Sequence, residues 1–259
     1  MIKLIASDLD GTLLLDGAQA LNPEVYDLII QLKEKGIRFV AASGRQLASQ
    51  HKLFEPIKEE IDYVAENGGV YSYNGESFPT TEIPRDLAFR ITDAIAAIPG
   101  CRTVVSCMES CYILKGDPLF AYHLIHTINN VTTEVASFRD ITTPILKIAF
   151  FIQENVHAVA KQLSEQFQEE IKVVTSGNEW IDFIPFDTNK AAALSILMKR
   201  YGVTSQEVIA FGDQENDLEM LALAGTSYAM SSAKDVVKAH ANKIATRVED
   251  ELKNILKGM

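Results

Sequence analysis

The sequence predicts an α/β fold in which both ends of the chain build one open parallel sheet and a separate α+β domain interrupts it. Three observations predict it. Short apolar runs near both ends stop abruptly at loops rich in Asp, Ser and Gly, the pattern of strands buried on both faces. The first two runs flank a helical stretch, which makes a βαβ unit with a right-handed crossover. Between about residue 80 and residue 185 the rhythm changes, and afterwards the first rhythm returns.

Residues 2–7 are the first apolar run, ending at Asp8-Leu9-Asp10-Gly11-Thr12. Asn22-Pro23 then supplies an N-cap and a first-turn proline. Val25, Leu28, Ile29 and Leu32 recur at helical spacing, and Gly36 ends the helix. A second buried strand over 37–42 runs into Ser43-Gly44-Arg45. Tyr63-Val64-Ala65 is a further strand, followed by Glu66-Asn67-Gly68-Gly69, and Asn74-Gly75 marks a hairpin between 70–73 and 77–78. The middle of the chain predicts helices over 85–97, 119–129 and 156–168. Its strands are expected over 103–106, 112–115, 145–152, 171–175 and 180–184, the last pair closing around Gly177-Asn178. A helix over 190–201, a strand over 208–211, the loop Gly212-Asp213-Gln214-Glu215-Asn216-Asp217, a helix through Ala224, a strand near 228–230 and two more helices complete the chain. The expected organisation is a core of 1–82 and 187–259 interrupted by a domain of 83–186.

Composition bounds the function. The 259 residues carry 24 Lys+Arg against 35 Asp+Glu, a formal net charge of -11, with 47% hydrophobic residues. These are globular values. The negative charge argues against nucleic acid and anionic membranes as partners. No run approaches the roughly 18 apolar residues a membrane span needs, and the first residues turn acidic too early for a signal peptide. Cys101, Cys107 and Cys111 lack paired spacing, so idle thiols in a reducing compartment are expected, and with them a cytoplasmic location. His123 and His126 stand three apart without a third ligand candidate, and Trp180 and Asp182 alternate onto one strand face.

The chemistry concentrates in loops that follow predicted parallel strands, where open α/β sheets bind ligands. Convergence would gather Asp8, Asp10, Asp213 and Asp217, and clustered carboxylates raise one another's pKa unless a cation compensates them. Hard oxygen ligands favour Mg²⁺, which leaves places for water and phosphate. A carboxylate can act as a covalent nucleophile, and a second acid can pass a proton to the leaving oxygen and take one from water. Ser43 and the Gly44 amide suit phosphate oxygens. Lys190 stands in the first turn of a predicted helix, where a cation opposes the helix dipole unless an anion is near. Taken singly, each of these is an ordinary turn or a surface residue; their order and their placement after strands carry the inference.

Ser7-Asp8-Leu9-Asp10-Gly11-Thr12-Leu13-Leu14, Ala42-Ser43-Gly44-Arg45, Lys190 and Gly212-Asp213-Gln214-Glu215-Asn216-Asp217 resemble, in order, the four motifs of the haloacid-dehalogenase-like hydrolases. The insert between the second and third motifs resembles the C2B cap of the Cof-type branch, as do Glu66-Asn67-Gly68 and Ala222-Leu223-Ala224-Gly225. The resemblance implies a Rossmann-like parallel-sheet core with an inserted α+β C2B cap that closes over the substrate. It implies an Mg²⁺-dependent phosphatase acting on a small phosphorylated metabolite, sugar phosphates first. Asp8 would be the nucleophile and Asp10 the acid/base. Asp8, the Asp10 carbonyl and Asp213 would hold the metal with support from Asp217, and Leu9, Ser43, Gly44, Lys190 and Asn216 would contact phosphate. Where that branch has Gly after the lysine, this chain has Ala191, and Ser231-Ser232-Ala233 and Asp250-Glu251-Leu252 also depart from its pattern. A sugar phosphomutase and a phosphorylatable receiver-like module stand as alternatives, and a monomer or small homo-oligomer is expected.

Overall fold

The computed structural model describes residues 1–176 and 179–258. The expected turn at Gly177-Asn178 lies outside the described residues. The chain forms two compact units, Met1–Thr80 with Asn189–Met259, and Thr81–Thr188.

In the first unit, eight strands among the described residues form one sheet. Their order is Lys243–Ala245, Thr226–Met230, Val208–Gly212, Leu4–Ser7, Arg38–Ala42, Asp62–Ala65, Val70–Tyr73 and Glu76–Pro79. The first six run parallel, and the last two join as an antiparallel hairpin whose turn residues Asn74 and Gly75 both have positive φ, as a twisted two-residue turn requires. Alternation along the strands explains why both faces are apolar. Leu4, Ala6, Val40, Ala42, Val64, Val208 and Ala210 face Leu194 and Leu197 of the helix Lys190–Tyr201 and Met220 and Leu221 of Leu218–Leu223. Ile5, Phe39, Tyr63 and Phe211 are also buried. The helices Pro23–Glu34 and Val248–Lys257 pack on each other, the former also against the strand Arg38–Ala42. Asn22 caps its helix as the sequence requires, its side chain accepting from the Glu24 amide at 3.1 Å.

The strand Leu4–Ser7 lies in the middle of the sheet, with Ser7 paired to Phe211 on one side and Ala41 on the other. The chain therefore departs to opposite sides of this strand in its first and second halves. That is the switch-point arrangement at which parallel sheets open a crevice beyond their carboxyl ends.

Among the described residues of the second unit, six strands form one sheet in the order Lys172–Ser176, Trp180–Ile184, Ile145–Phe151, Arg102–Cys107, Cys111–Leu114 and Thr132–Val135. One face buries Val105, Ile148, Phe150, Ile181 and Phe183 under the helices Arg85–Ala96 and Val156–Phe167. On the other, Phe120 and Leu124 cover Val104, Ile113, Ala149 and Phe151, with Trp180 packed against them. Asp182 shares the Trp180 face and lies 3.8 Å from Lys147.

Several elements differ from expectation. The sequence does not announce the edge strands Lys243–Ala245 and Thr132–Val135, because an edge strand needs neither length nor an apolar alternation. The short helix Leu47–Leu53 lacks a side-chain cap that would announce it. The helix expected over 119–129 is a short α-helix, Pro118–Tyr122, followed by a π-helical turn, His123–Thr127, in which the His126 ring lies tilted against Tyr122. Among the described residues no helix is long and apolar enough to cross a membrane.

Leu197 is fully buried between the sheet and its helix. Truncation to alanine is expected to remove about 2–5 kcal/mol of stability, read as a lowered urea midpoint for the unit that contains it.

Candidate active site

Three of the four aspartates come together and one does not. Asp8 begins the loop after the central strand, its amide donating to the Phe211 carbonyl at 3.0 Å. Asp213 and Asp217 lie in the loop after the neighbouring strand Val208–Gly212. One oxygen from each of the three lies within 4.8 Å of the others, and all three side chains are buried. Lys190, 1% exposed, reaches this group from the first turn of its helix and donates to Asp8 Oδ1 and to Asp217 Oδ1, both at 2.6 Å.

That contact answers the dipole question. A lysine at a helix N-terminus costs roughly 0.3–1 kcal/mol, whereas each charge-assisted hydrogen bond returns about 1.5–3 kcal/mol. The helix start is secured separately by Asn189, whose side chain accepts from the Ala192 amide at 2.8 Å.

Further hydrogen bonds hold Asp217 and Asp213 in place. Asp217 Oδ2 accepts from the Asp213 and Gln214 amides at 2.9 and 3.0 Å. Asp213 accepts from Thr12 Oγ1 at 2.8 Å and from Gln214 Nε2 at 2.9 Å. Gly11 gives Asp213 its space: its φ is +83°, and a Cβ there would stand 2.3 Å from Asp213 Oδ2.

Burial dominates the electrostatics. It pushes the Asp8 carboxyl up to about 8, Lys190 opposing and Asp217 reinforcing the shift. Asp213 is also raised by burial, with Thr12 and Gln214 working against it. Burial works against the Lys190 charge, but Asp8 and Asp217 outweigh it and hold the ammonium above its ordinary range. One cation thus faces three buried carboxyl groups. Asp8 and Asp213 are both held above the ordinary carboxylate range. Oxygen donors alone, close together and short of positive charge, form a set that fits a hard divalent cation.

Asp10 does not join this set. The strand ends at Ser7, and the chain turns so that Leu14 and Thr12 amides both donate to the Leu9 carbonyl, at 2.7 and 3.2 Å. This turn leaves the Asp10 side chain 56% exposed, bound by Arg45 through Nε at 2.8 Å and Nη2 at 2.6 Å. Leu9 itself is buried, with a backbone hydrogen bond to Asp8. Ser43 is buried and its Oγ accepts from the Arg45 amide at 3.1 Å. Gly44 lies against Asn67: a Cβ there would be 3.0 Å from Asn67 Oδ1. Asn216 donates to the same oxygen at 2.9 Å.

Asn67 therefore joins two of the expected loops, and the chain beside it touches a third. Its amide donates to the Ser43 carbonyl at 3.1 Å, and Gly68 approaches the Asn189 carbonyl so closely that a Cβ would stand 2.1 Å away. Sequence reasoning assigned no chemical role to Asn67, Thr12, Gln214 or Arg45. The turn-rich stretch directly after a predicted strand is the signal for Asn67; the other three lie inside the motifs, where the sequence alone does not say which group each one meets.

Comparison with known proteins follows the same lines. The family described as haloacid dehalogenase-like hydrolase matches residues 5–252. The chain is 33% identical over 248 residues to the 5-amino-6-(5-phospho-D-ribitylamino)uracil phosphatase YbjI of Escherichia coli, covering 93% of this chain and 89% of that one. It is 30% identical over 267 residues to YitU of Bacillus subtilis, a phosphatase of the same name, covering 98% and 96%. A crystal structure from Eubacterium rectale superposes with a TM-score of 0.91 at 32% identity, covering 98% of this chain and 99% of that one.

The raised Asp8 carboxyl makes a signed expectation. Between its ordinary 3.8 and about 8, the folded protein holds a proton that the unfolded chain has shed. Without divalent metal, stability therefore falls as pH rises through that window, by up to about 1.4 kcal/mol per pH unit. Asp8→Asn, always neutral, should gain on wild type from pH 4 to pH 8 in urea unfolding with a chelator present. Parallel curves would refute the raised carboxyl.

Proposed function

We propose, because this chain belongs to the haloacid dehalogenase-like hydrolases and is a phosphoric monoester hydrolase, that it cleaves small phosphorylated metabolites through an aspartyl-phosphate intermediate with Mg²⁺ as its metal. The observation that carries this reading is the buried group of Asp8, Asp213 and Asp217 with Lys190 hydrogen-bonded to two of them. Asp8, Asp213 and the Asp10 carbonyl would hold the ion, with Asp217 in support. When bound, Mg²⁺ supplies positive charge opposite the phosphoryl group and keeps Asp8 deprotonated.

An Asp8 carboxylate oxygen attacks phosphorus, and the bond from phosphorus to the substrate oxygen breaks. Asp10 gives that oxygen a proton. It then takes one from the water that attacks the phosphoaspartate, releasing inorganic phosphate and restoring Asp8. Lys190, the Leu9 and Gly44 amides, the Ser43 hydroxyl and Asn216 hold phosphoryl oxygens. Charge on those oxygens is where a buried, preorganised cation contributes most.

For the substrate we infer a phosphorylated sugar or sugar alcohol. Three relatives at 30–33% identity are named for a substrate with a phosphorylated ribityl chain, which supports a polyhydroxylated carbon chain next to the phosphate.

A panel of phosphorylated sugars, sugar alcohols, nucleotides and cofactors, scored by inorganic phosphate release, tests the reading. Turnover should require Mg²⁺, stop on chelation, and fall by at least about 10⁴-fold in Asp8→Asn while the fold persists. Full turnover by Asp8→Asn would exclude the covalent route. Independently of activity, Mg²⁺ should raise the melting temperature of wild type and leave Asp213→Asn unchanged.

A further inference from the structure

We propose that Arg45 is a positioning residue for Asp10: its guanidinium fork fixes the exposed carboxylate in the orientation from which Asp10 serves the reaction. This rests on the acid/base role assigned to Asp10 above.

The need for such a residue follows from Asp10's surroundings. Its side chain is 56% exposed, unlike the buried Asp8, Asp213 and Asp217. A short carboxylate open to water is free to rotate, and proton transfer requires it within hydrogen-bond reach of one particular oxygen. Within the first unit, Arg45 is the side chain bound to it, through two nitrogens and both carboxylate oxygens. A two-point contact fixes both the direction and the plane of the carboxylate, which a single contact does not.

The backbone behind Arg45 is held unusually well for a loop. Its amide donates to Ser43 Oγ at 3.1 Å. Its carbonyl accepts from the Glu66 amide at 3.1 Å and from Gln50 Nε2 at 3.3 Å. Gln50 is fully buried, and the same Nε2 donates to the Val64 carbonyl at 3.2 Å. Among the described residues its Oε1 has no hydrogen-bond partner. An apolar side chain would avoid leaving that oxygen unpaired. What the amide uniquely supplies is two donors, one to the end of a sheet strand and one to Arg45. The fork is thus anchored to the sheet, and Asp10 to the fork.

Stability does not account for the pair. Both side chains are partly open to solvent, where ion pairs add little.

A double-mutant cycle on phosphate release from the best substrate in the panel tests the proposal. Asp10→Ala should lower kcat by roughly 10²–10⁴-fold. Arg45→Met and Arg45→Lys should each lower kcat by about tenfold or more with KM within about twofold, because Lys keeps the charge and loses the fork. In the Asp10→Ala background, either Arg45 change should cost no more than about twofold further, since nothing is left to position. Melting temperatures should stay within about 2 °C of wild type, as for other exposed pairs. Additive losses, a rise in KM, or full activity in Arg45→Lys would overturn the proposal, assigning Arg45 to direct charge on the substrate or to no role. A wild-type protein that releases no phosphate, or an Asp10→Ala variant at full activity, would instead remove the functional reading on which the proposal rests.

Discussion

A fully buried lysine between two buried aspartates is the contact on which the rest of the core unit depends. Removing an ammonium from water costs several kcal/mol, and only well-placed opposite charge recovers it. Lys190 meets Asp8 and Asp217 at 2.6 Å, and those residues come from strands that are neighbours in the sheet yet about 200 positions apart in the chain. The pairing therefore requires the sheet order itself: Leu4–Ser7 beside Val208–Gly212, with the helix Lys190–Tyr201 in the core cluster that covers the same sheet. Asn189 starts that helix, Gly68 lets the loop after Asp62–Ala65 close against it, and Gly11 makes room for Asp213. Each is a local concession to the same charged group.

The same group explains how an acidic protein can handle an anion. A net charge of -11 disfavours polyanionic partners at long range. At short range the balance is set by one lysine, three carboxyl groups and whatever cation joins them, and burial makes those few charges count for more than the surface coat. Burial pushes the Asp8 carboxyl up, and a cation held beside it, as proposed above, would work against that shift.

Legibility followed burial. The strands Leu4–Ser7, Arg38–Ala42 and Val208–Gly212 and the helix Pro23–Glu34 could be read because a two-sided core demands apolar runs, and a capped helix demands Asn22 and Pro23. The edge strand Lys243–Ala245 and the helix Leu47–Leu53 could not, since neighbours rather than their own residues order them. In the site, Asp8, Asp213, Asp217 and Lys190 were legible because the acids stand in loops directly after apolar strands and the lysine opposes a helix dipole, an order that points to one pocket. Thr12, Gln214 and Asn67 were not. Their contribution is a hydrogen bond whose partner is up to 201 residues away, and a hydroxyl or amide has no sequence signature for that.

Asp10 and Arg45 divide the two levels most clearly. The sequence by itself determined that a second aspartate follows Asp8 by two positions and that an arginine ends the next strand loop; it also determined the α/β order and the family pattern. Only the tertiary structure decided that Asp10 leaves the buried cluster while Arg45 takes hold of it. The reason is geometric. Residue spacing sets which side a group faces only while the strand continues, and here the strand stops at Ser7, so the turn, the positive φ of Gly11 and the anchored backbone of Arg45 set the direction instead.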